Sequence, residues 1–122
     1  MEPFVNAVDF CTMKIAVRGF NDISVIEQED ILYCKADGRY TKIFIGKDNS
    51  ILASKLLKDV ESSLPSKNFC RIHHSYLINL NHLTGIKNHK KLILKENIEI
   101  PIARRRNKTL FNSIKKLKIH FV

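Results

Sequence analysis

The chain has 122 residues, 44% of them hydrophobic, and a formal net charge of +9, which suits one compact domain and excludes wholesale disorder. No stretch reaches the roughly 18 apolar residues needed to cross a bilayer, and Glu2 and Asp9 interrupt the region where a signal peptide would be apolar. The three cysteines lack CxxC spacing, which argues against a disulfide framework and favours a reducing compartment. We therefore expect a cytoplasmic protein that does not bind membranes.

Positive charge is concentrated in the second half of the chain. Residues 1–68 contain nine Lys and Arg against ten Asp and Glu, whereas residues 69–122 contain twelve basic and two acidic residues. A polyanion is a natural partner for such a segment, because neutralising phosphates releases condensed counterions. Charge alone does not separate DNA from RNA or anionic lipid, and a solvated basic surface without a partner also accounts for it.

The first half of the chain is dominated by short runs with strand character, separated by turn residues. Apolar and polar residues alternate around Met13, Ile15 and Val17, as in a half-buried strand. Asp37-Gly38 is a strong turn signal because glycine accepts a positive φ angle. The predicted strands are residues 12–18, 25–26, 31–35 and 40–45, with turns at 36–39 and 47–50.

A helix is predicted next, from about Lys55 to Leu64. Ser54 is placed to cap it and Pro65 to end it. Its apolar residues recur at helical spacing and would face the core. They are Leu56, Leu57, Val60 and Leu64.

The second half returns to short strands and ends in a helix. The strands are predicted at residues 86–87, 92–94 and 98–102, with hairpin turns at 88–90 and 96–97. The helix extends from about Asn107 to Lys118, and its lysines either face solvent or contact phosphates. Its apolar face consists of Leu110, Phe111, Ile114 and Leu117.

Three stretches carry the functional argument. The first is the hairpin tip Asp37-Gly38-Arg39-Tyr40, where side chains project beyond the sheet. The second is FCRIHHSYLIN at residues 69–79, and the third is IPIARRRN at residues 100–107, where a strand meets the basic helix. Arginine presents a planar fork that matches guanine O6 and N7, and serine, histidine and lysine suit phosphates or base edges.

These stretches resemble the LytTR DNA-binding domain family. FCRIHHSYLIN is similar to the family signature F-x-R-I-H-R-S-Y-L-V-N, and NHLTGI follows it in place of I-x-x-I. Upstream, DILYCKADGRYTKIFI is similar to the family's I-x-Y-I-E/K-A-x-x-x-Y-x-x-I hairpin. Downstream, EIPIARRRNKTL stands where the family has I-P-V-S-R-R before a final helix. The motifs are in family order over about Met13 to Lys118.

The resemblance implies a mainly β fold, α+β by content. Small antiparallel sheets would pack side by side as an elongated β-sandwich with two short helices. Residues 13–122 would form the LytTR-type domain, and residues 1–12 an N-terminal extension or linker remnant.

The resemblance also implies that loop residues on one edge read successive major grooves of double-stranded DNA. Three loop positions would supply base contacts, with Arg105 preferred in the third. The predicted DNA-binding residues are Arg39, Tyr40, His73, His74, Ser75, Arg104, Arg105, Arg106 and Lys108. Two departures bear on base choice: His74 replaces the family's usual arginine, and Ala103 replaces a common serine.

The expected function is sequence-specific DNA binding as the output domain of a bacterial transcription regulator of the response-regulator, two-component type. The resemblance implies paired direct repeats as the DNA target. It also implies a monomer that pairs on DNA. Family members commonly follow a receiver or sensor domain, and two alternatives stay open: a stand-alone regulator, or a fragment of a longer one with such a domain upstream.

Other functions have less support in the residues. An RNA-binding module on a small basic β fold is the main alternative, although no RNP-type aromatic run or GxxG loop is present. An enzyme is not expected because GxSxG, HExxH and phosphate-binding glycine loops are missing. Cys70 with nearby histidines suggests zinc, but paired ligand spacing is lacking, so we expect no metal or cofactor. A purely protein-binding adaptor would leave the basic second half unexplained.

Within the second stretch, several residues are predicted to be structural. Phe69, Leu77 and Ile78 would lie in the core, and Cys70 would be a small buried apolar residue. Tyr76 would pack rather than stack on a base, because duplex bases are not available for stacking. Two alternatives stay open: Arg71 pairs with an acidic neighbour or a phosphate, and Asn79 has a functional role or bonds its own backbone in a turn.

Overall fold

The computed structural model describes residues 13–117, 119, 121 and 122. The N-terminal extension predicted at residues 1–12 lies outside this range. The strands are β1 (Lys14–Arg18), β2 (Ile23–Glu27), β3 (Tyr33–Asp37), β4 (Tyr40–Gly46), β5 (Asn49–Ala53), β6 (Phe69–His73), β7 (Tyr76–Asn79), β8 (Leu83–Lys87), β9 (Lys91–Leu94) and β10 (Ile98–Pro101), and the helices are α1 (Leu57–Ser63) and α2 (Asn107–Lys116).

The strands form three antiparallel sheets. A central five-stranded sheet has the order β5-β4-β3-β7-β6, a hairpin contains β1 and β2, and a three-stranded sheet has the order β10-β9-β8. With the two short helices, this arrangement confirms the predicted mainly β fold of small antiparallel sheets.

The core consists of two clusters, one on each face of the central sheet. Adjacent residues of a strand point to opposite faces, so Tyr33 belongs to one cluster and Cys34 to the other. The first cluster joins the sheet to the β8–β10 sheet and α2, through residues such as Leu92 and Leu110. The second joins it to α1 and the β1–β2 hairpin. Both faces of the central sheet are therefore covered.

The predicted hairpin turns are confirmed by their backbone angles. Gly38 has φ 62°, and Asn88, His89, Glu96 and Asn97 have φ between 54° and 65°. These are left-handed conformations, which asparagine and glycine tolerate better than most residues.

Strand β5 was missed, because it begins inside the turn predicted at residues 47–50. Asn49 and Ser50 have low intrinsic strand propensity. They become part of a strand by pairing with β4, where Ser50 lies opposite Phe44 and Ala53 opposite Thr41. Tertiary pairing therefore overrides local propensity here.

The helix predictions were right in place but wrong at the ends. Helix α1 begins at Leu57 rather than Lys55, with Leu56 at the N-cap position. Ser54 does not cap it, because its backbone N–H and its hydroxyl both donate to the Arg18 carbonyl oxygen, each at 3.0 Å. Leu56 is exposed and does not belong to the buried face. Helix α2 ends at Lys116, before the predicted Lys118.

Asn79 is a fully buried polar residue at the end of β7. Its Nδ2 donates to the Ile31 carbonyl oxygen at 2.9 Å, and its Oδ1 accepts from the Asn81 backbone N–H at 3.0 Å. Of the two alternatives for Asn79, the backbone interaction in a turn is the one observed. The side chain also joins β7 to the segment before β3, far away in the sequence.

We predict that Asn79→Ala lowers the free energy of unfolding by about 2 kcal/mol, because the buried Ile31 carbonyl and the partly buried Asn81 N–H lose their partners. Urea denaturation monitored by circular dichroism measures this change. Asn81→Ala is the control: its side chain is exposed and its backbone N–H remains, so its effect should stay within about 0.5 kcal/mol. Equal effects of the two substitutions would contradict a structural role for the Asn79 amide.

Candidate functional site

The three stretches that carry the predicted site meet at one end of the central sheet. Strand β3 pairs with β7 so that Lys35 lies opposite Tyr76, and the Ala36 N–H donates to the Ser75 carbonyl oxygen at 2.9 Å. This brings the β3–β4 turn beside the β6–β7 turn. The Ala103 N–H donates to the Ile72 carbonyl oxygen at 2.8 Å, which places the segment after β10 beside the end of β6. We call this end the turn edge; it comprises residues 37–40, 73–76 and 103–106.

The order of the strands sets the order of the turns. Along β4-β3-β7-β6 the two hairpin turns come first, and residues 103–106 follow beyond β6. Neighbouring strands lie about 4.8 Å apart, so the two hairpin turns are about 10 Å apart. The two hairpin turns and residues 103–106 therefore lie in a row along this edge.

The β3–β4 turn presents Arg39 to solvent, and no atom lies within 4 Å of the place where the preceding Gly38 would carry a Cβ. Tyr40 is 37% exposed. Its ring packs edge to face against Phe20, with 4.8 Å between ring centroids. Arg39 is therefore free to contact a ligand, whereas Tyr40 is held by an aromatic neighbour.

In the β6–β7 turn the two histidines have different environments. The Ser75 N–H donates to His73 Nδ1 at 3.0 Å, and the His73 ring lies against Tyr76 with 5.5 Å between centroids. His73 is half-buried and shapes the turn from inside. His74 is exposed. Tyr76 packs among neighbouring aromatic rings, as predicted.

Arg71 supports the β6–β7 turn through its guanidinium group. Its Nε donates to the His73 carbonyl oxygen at 3.1 Å, and one terminal nitrogen donates to the His74 carbonyl oxygen at 2.7 Å. The other terminal nitrogen forms a 2.8 Å ion pair with Glu61 of α1. Only 14% of the Arg71 side chain is exposed. Of the two alternatives for Arg71, pairing with an acidic neighbour is the one observed.

The third segment is a short 3-10 turn, Arg104–Arg106, that leads directly into α2. Arg104 and Arg105 are exposed, as is Lys108 in the first turn of α2. Arg106 is half-buried and lines a cleft of about 320 Å³ between α2 and β6, together with Cys70 and Lys116. The first turn of α2 contains no acidic residue.

The buried cysteines do not form a metal site in the part of the chain that the structure describes. No group of three or more His, Cys, Asp or Glu residues there is arranged to hold a metal ion. Burial raises the pKa of the Cys34 thiol to about 12. Burial also raises the pKa of the Cys70 thiol, although a hydrogen bond from Ser113 and the charge of Arg106 act in the opposite direction. Both thiols therefore stay protonated near neutral pH, as small buried groups.

Helices in the described residues are too short and too polar to cross a membrane.

Two contacts next to the turn edge could not be identified from the sequence. An acidic partner for Arg71 was one of two alternatives, but its identity was not predictable, because Glu61 lies ten residues earlier on a different element and no local spacing signals the pair. Phe20 follows Gly19 and precedes Asn21, so a turn was detectable, but its contact with Tyr40 was not.

The chain belongs to the LytTR DNA-binding domain family. The family model, described as LytTr DNA-binding domain, matches residues 21–115. It covers the turn edge completely, and the family is defined by DNA binding rather than by catalysis.

Individual relatives and a solved structure support this assignment. The chain is 30% identical over 109 residues to the sensory transduction protein LytT of Bacillus anthracis, covering 85% of this chain and 42% of that protein. It is 27% identical over 108 residues to LytT of Bacillus subtilis, covering 85% and 43%. The chain thus spans less than half the length of these curated relatives. A solved LytTr DNA-binding domain from Bacillus cereus has the same fold, with a TM-score of 0.65 and 18% identity over 87% of this chain and 97% of that one.

We predict that Arg71→Met lowers the free energy of unfolding by about 2 kcal/mol, because it removes charge-assisted bonds to two carbonyls and to Glu61. Urea denaturation of Arg71→Met, Glu61→Gln and the double variant measures the coupling. The sum of the single effects should exceed the effect of the double variant.

The same variant distinguishes bracing from phosphate contact. If Arg71 only supports the turn, Arg71→Met should weaken discrimination at the base pairs beside the β6–β7 turn, and the salt dependence of DNA binding should stay unchanged. A phosphate contact predicts a salt slope smaller by about 1 with discrimination preserved. Lys67→Met is the control, since Lys67 lines the same cleft and is exposed.

Proposed function

We propose that this domain binds double-stranded DNA in a sequence-specific manner, with the turn edge facing the duplex, as the output domain of a bacterial transcription regulator. The observation that carries the proposal is the convergence of three separate segments on that edge. Each of them presents an exposed cationic or hydrogen-bonding side chain: Arg39, His74 and Arg105. The pairing of β3 with β7 brings two of these turns together, but it does not require their exposed side chains to be cationic or hydrogen-bonding.

The chemistry of these side chains suits base reading. The guanidinium groups of Arg39 and Arg105 match the O6 and N7 acceptors that guanine presents in the major groove. His74 offers ring nitrogens at the position between them. Ser75 adds a short hydroxyl that suits a phosphate or a base edge. The rigid backbone beneath, held by Arg71 and strand pairing, lowers the entropic cost of presenting them.

The arginines before α2 support a polyanionic partner. The N-terminus of a helix has a partial positive charge, so cations there are unfavourable by about 0.3–1 kcal/mol each. Arg104, Arg105 and Arg106 occupy this position, and no carboxylate of the first turn offsets them. A local arrangement that opposes stability is typical of a functional site. Phosphates would reverse the penalty, because helix N-termini bind anions.

Several finer features extend the proposal. The DNA target is two direct repeats, and the domain is a monomer in isolation that pairs on DNA. A receiver or sensor domain precedes it in the complete regulator, and the protein acts in the cytoplasm without catalytic activity.

Selection of bound sequences from a random duplex pool tests the target, because repeats in one orientation would appear in the selected sites. Competition with duplex and single-stranded RNA tests the alternative of an RNA-binding module.

We predict salt-sensitive binding to duplex DNA. If about six phosphates are neutralised, the logarithm of the association constant should fall with the logarithm of salt concentration at a slope near −5. Titrations at four or five salt concentrations measure the slope. A slope near zero would remove the electrostatic basis of the proposal.

We predict that Arg105→Ala reduces discrimination more than Lys116→Ala, although each removes one positive charge. Arg105 lies on the turn edge, where a bidentate contact with guanine is worth about 1–3 kcal/mol of discrimination. Lys116 lies at the last position of α2, and its loss should weaken all sequences about equally. The measurement is the ratio of specific to random-duplex affinity at one salt concentration.

Circular dichroism is the folding control for both variants. An unchanged ratio for Arg105→Ala would move base reading to Arg104. Collapse of the ratio for Lys116→Ala would contradict the placement of the DNA on the turn edge.

A further inference from the structure

We propose that the β1–β2 turn, residues 19–22, is a fourth DNA-contacting segment, in which Phe20 packs against the methyl group of a thymine. The inference rests on the proposed function and extends the turn edge beyond the β3–β4 turn. Phe20 is outside the three stretches that carry the family signature.

The position of the turn follows from three contacts. The backbone N–H of Ser54 donates to the Arg18 carbonyl oxygen at 3.0 Å, which ties the end of β1 to the end of β5. Strand β5 ends at the turn edge, because Ala53 lies opposite Thr41, the residue after Tyr40. The Phe20 and Tyr40 rings then touch edge to face. The β1–β2 turn is therefore the outermost segment at the same end of the sheet.

Phe20 is unusually placed for an aromatic side chain. It is 60% exposed, so burial in the core does not account for it. A single exposed apolar residue is common on protein surfaces, but this ring is held against Tyr40 at the border of a basic edge. The contact limits its rotamers, and a preorganised ring loses less entropy on binding.

The chemistry of the ring selects the partner atom. Phenylalanine has no hydrogen-bonding group, so it cannot read donors or acceptors of a base. The thymine C5-methyl is the apolar feature of the major groove, and phenylalanine is among the side chains that contact it. Because Phe20 touches Tyr40, this thymine should lie within about two base pairs of those reached by the β3–β4 turn.

The β1–β2 turn is closed by its own backbone. The Gly19 N–H donates to the Asp22 carbonyl oxygen at 2.9 Å, which closes the turn. The Asp22 carboxylate folds over Gly19, where a Cβ atom would collide with it. Asp22 is the only acid among residues 19–22, and it is exposed.

The test combines a protein variant with a change of one atom group in the DNA. Sites are first selected from a random duplex pool with the wild-type domain and with Phe20→Ala. In the selected duplex, each thymine is then replaced in turn by deoxyuridine, which removes the C5-methyl alone. Affinity is measured for both proteins at one salt concentration.

Replacement of one outer thymine should weaken the wild-type complex about fourfold, the equivalent of burying one methyl-sized group. The same replacement should leave Phe20→Ala unaffected. The variant should also lose its thymine preference at that end of the site only. Val25→Ala is the matched control, since Val25 is 62% exposed on the same hairpin and lies about 10 Å from the turn.

Three results would overturn the inference. If Phe20→Ala selects the same sites with the same sensitivity to deoxyuridine, the ring does not contact the methyl group. If Phe20→Ala weakens binding only to duplexes with two repeats, the Phe20 ring contacts a neighbouring copy of the domain instead. If the wild-type domain enriches no sequence at all, the proposed function itself fails. Thermal unfolding of each variant excludes misfolding as the cause.

Discussion

The pairing of β3 with β7 is the interaction on which the site depends. It joins two hairpins that are about forty residues apart in sequence, with Tyr33 opposite Ile78 and Lys35 opposite Tyr76. The same pairing places the β3–β4 and β6–β7 turns side by side. A shift of one residue would move Ile78 to the opposite face of the sheet. Both hydrophobic clusters therefore hold the register that aligns the turns.

The turn edge combines a supported backbone with unfavourably placed positive charge. The β6–β7 turn is held by the guanidinium of Arg71, which is itself held by Glu61 from α1. At the third segment, three consecutive arginines stand at the wrong end of a helix for stability. Positive side chains on a fixed backbone are preorganised for a negatively charged ligand, because binding then costs less conformational entropy.

Much of the fold could be predicted from local patterns. Alternation around Met13 to Val17 predicts β1, Asp37-Gly38 predicts the β3–β4 turn, and helical spacing of Leu110 and Ile114 predicts α2. These signals are local, since they depend on which face of one element is apolar. The wrong predictions have non-local causes. Strand β5 forms because it pairs with β4. Ser54 does not cap α1, and its hydroxyl donates to the carbonyl oxygen of Arg18 instead.

The sequence by itself determined the family, the basic second half and the three stretches that contain the candidate DNA-binding residues. Only the tertiary structure decided how these residues differ: His74 and Arg105 are exposed, His73 supports the turn, and Arg106 turns into a cleft. It also decided that Phe20 lies against Tyr40. The physical reason is that exposure and side-chain partners depend on strands and helices distant in the chain, which no local pattern of residues specifies.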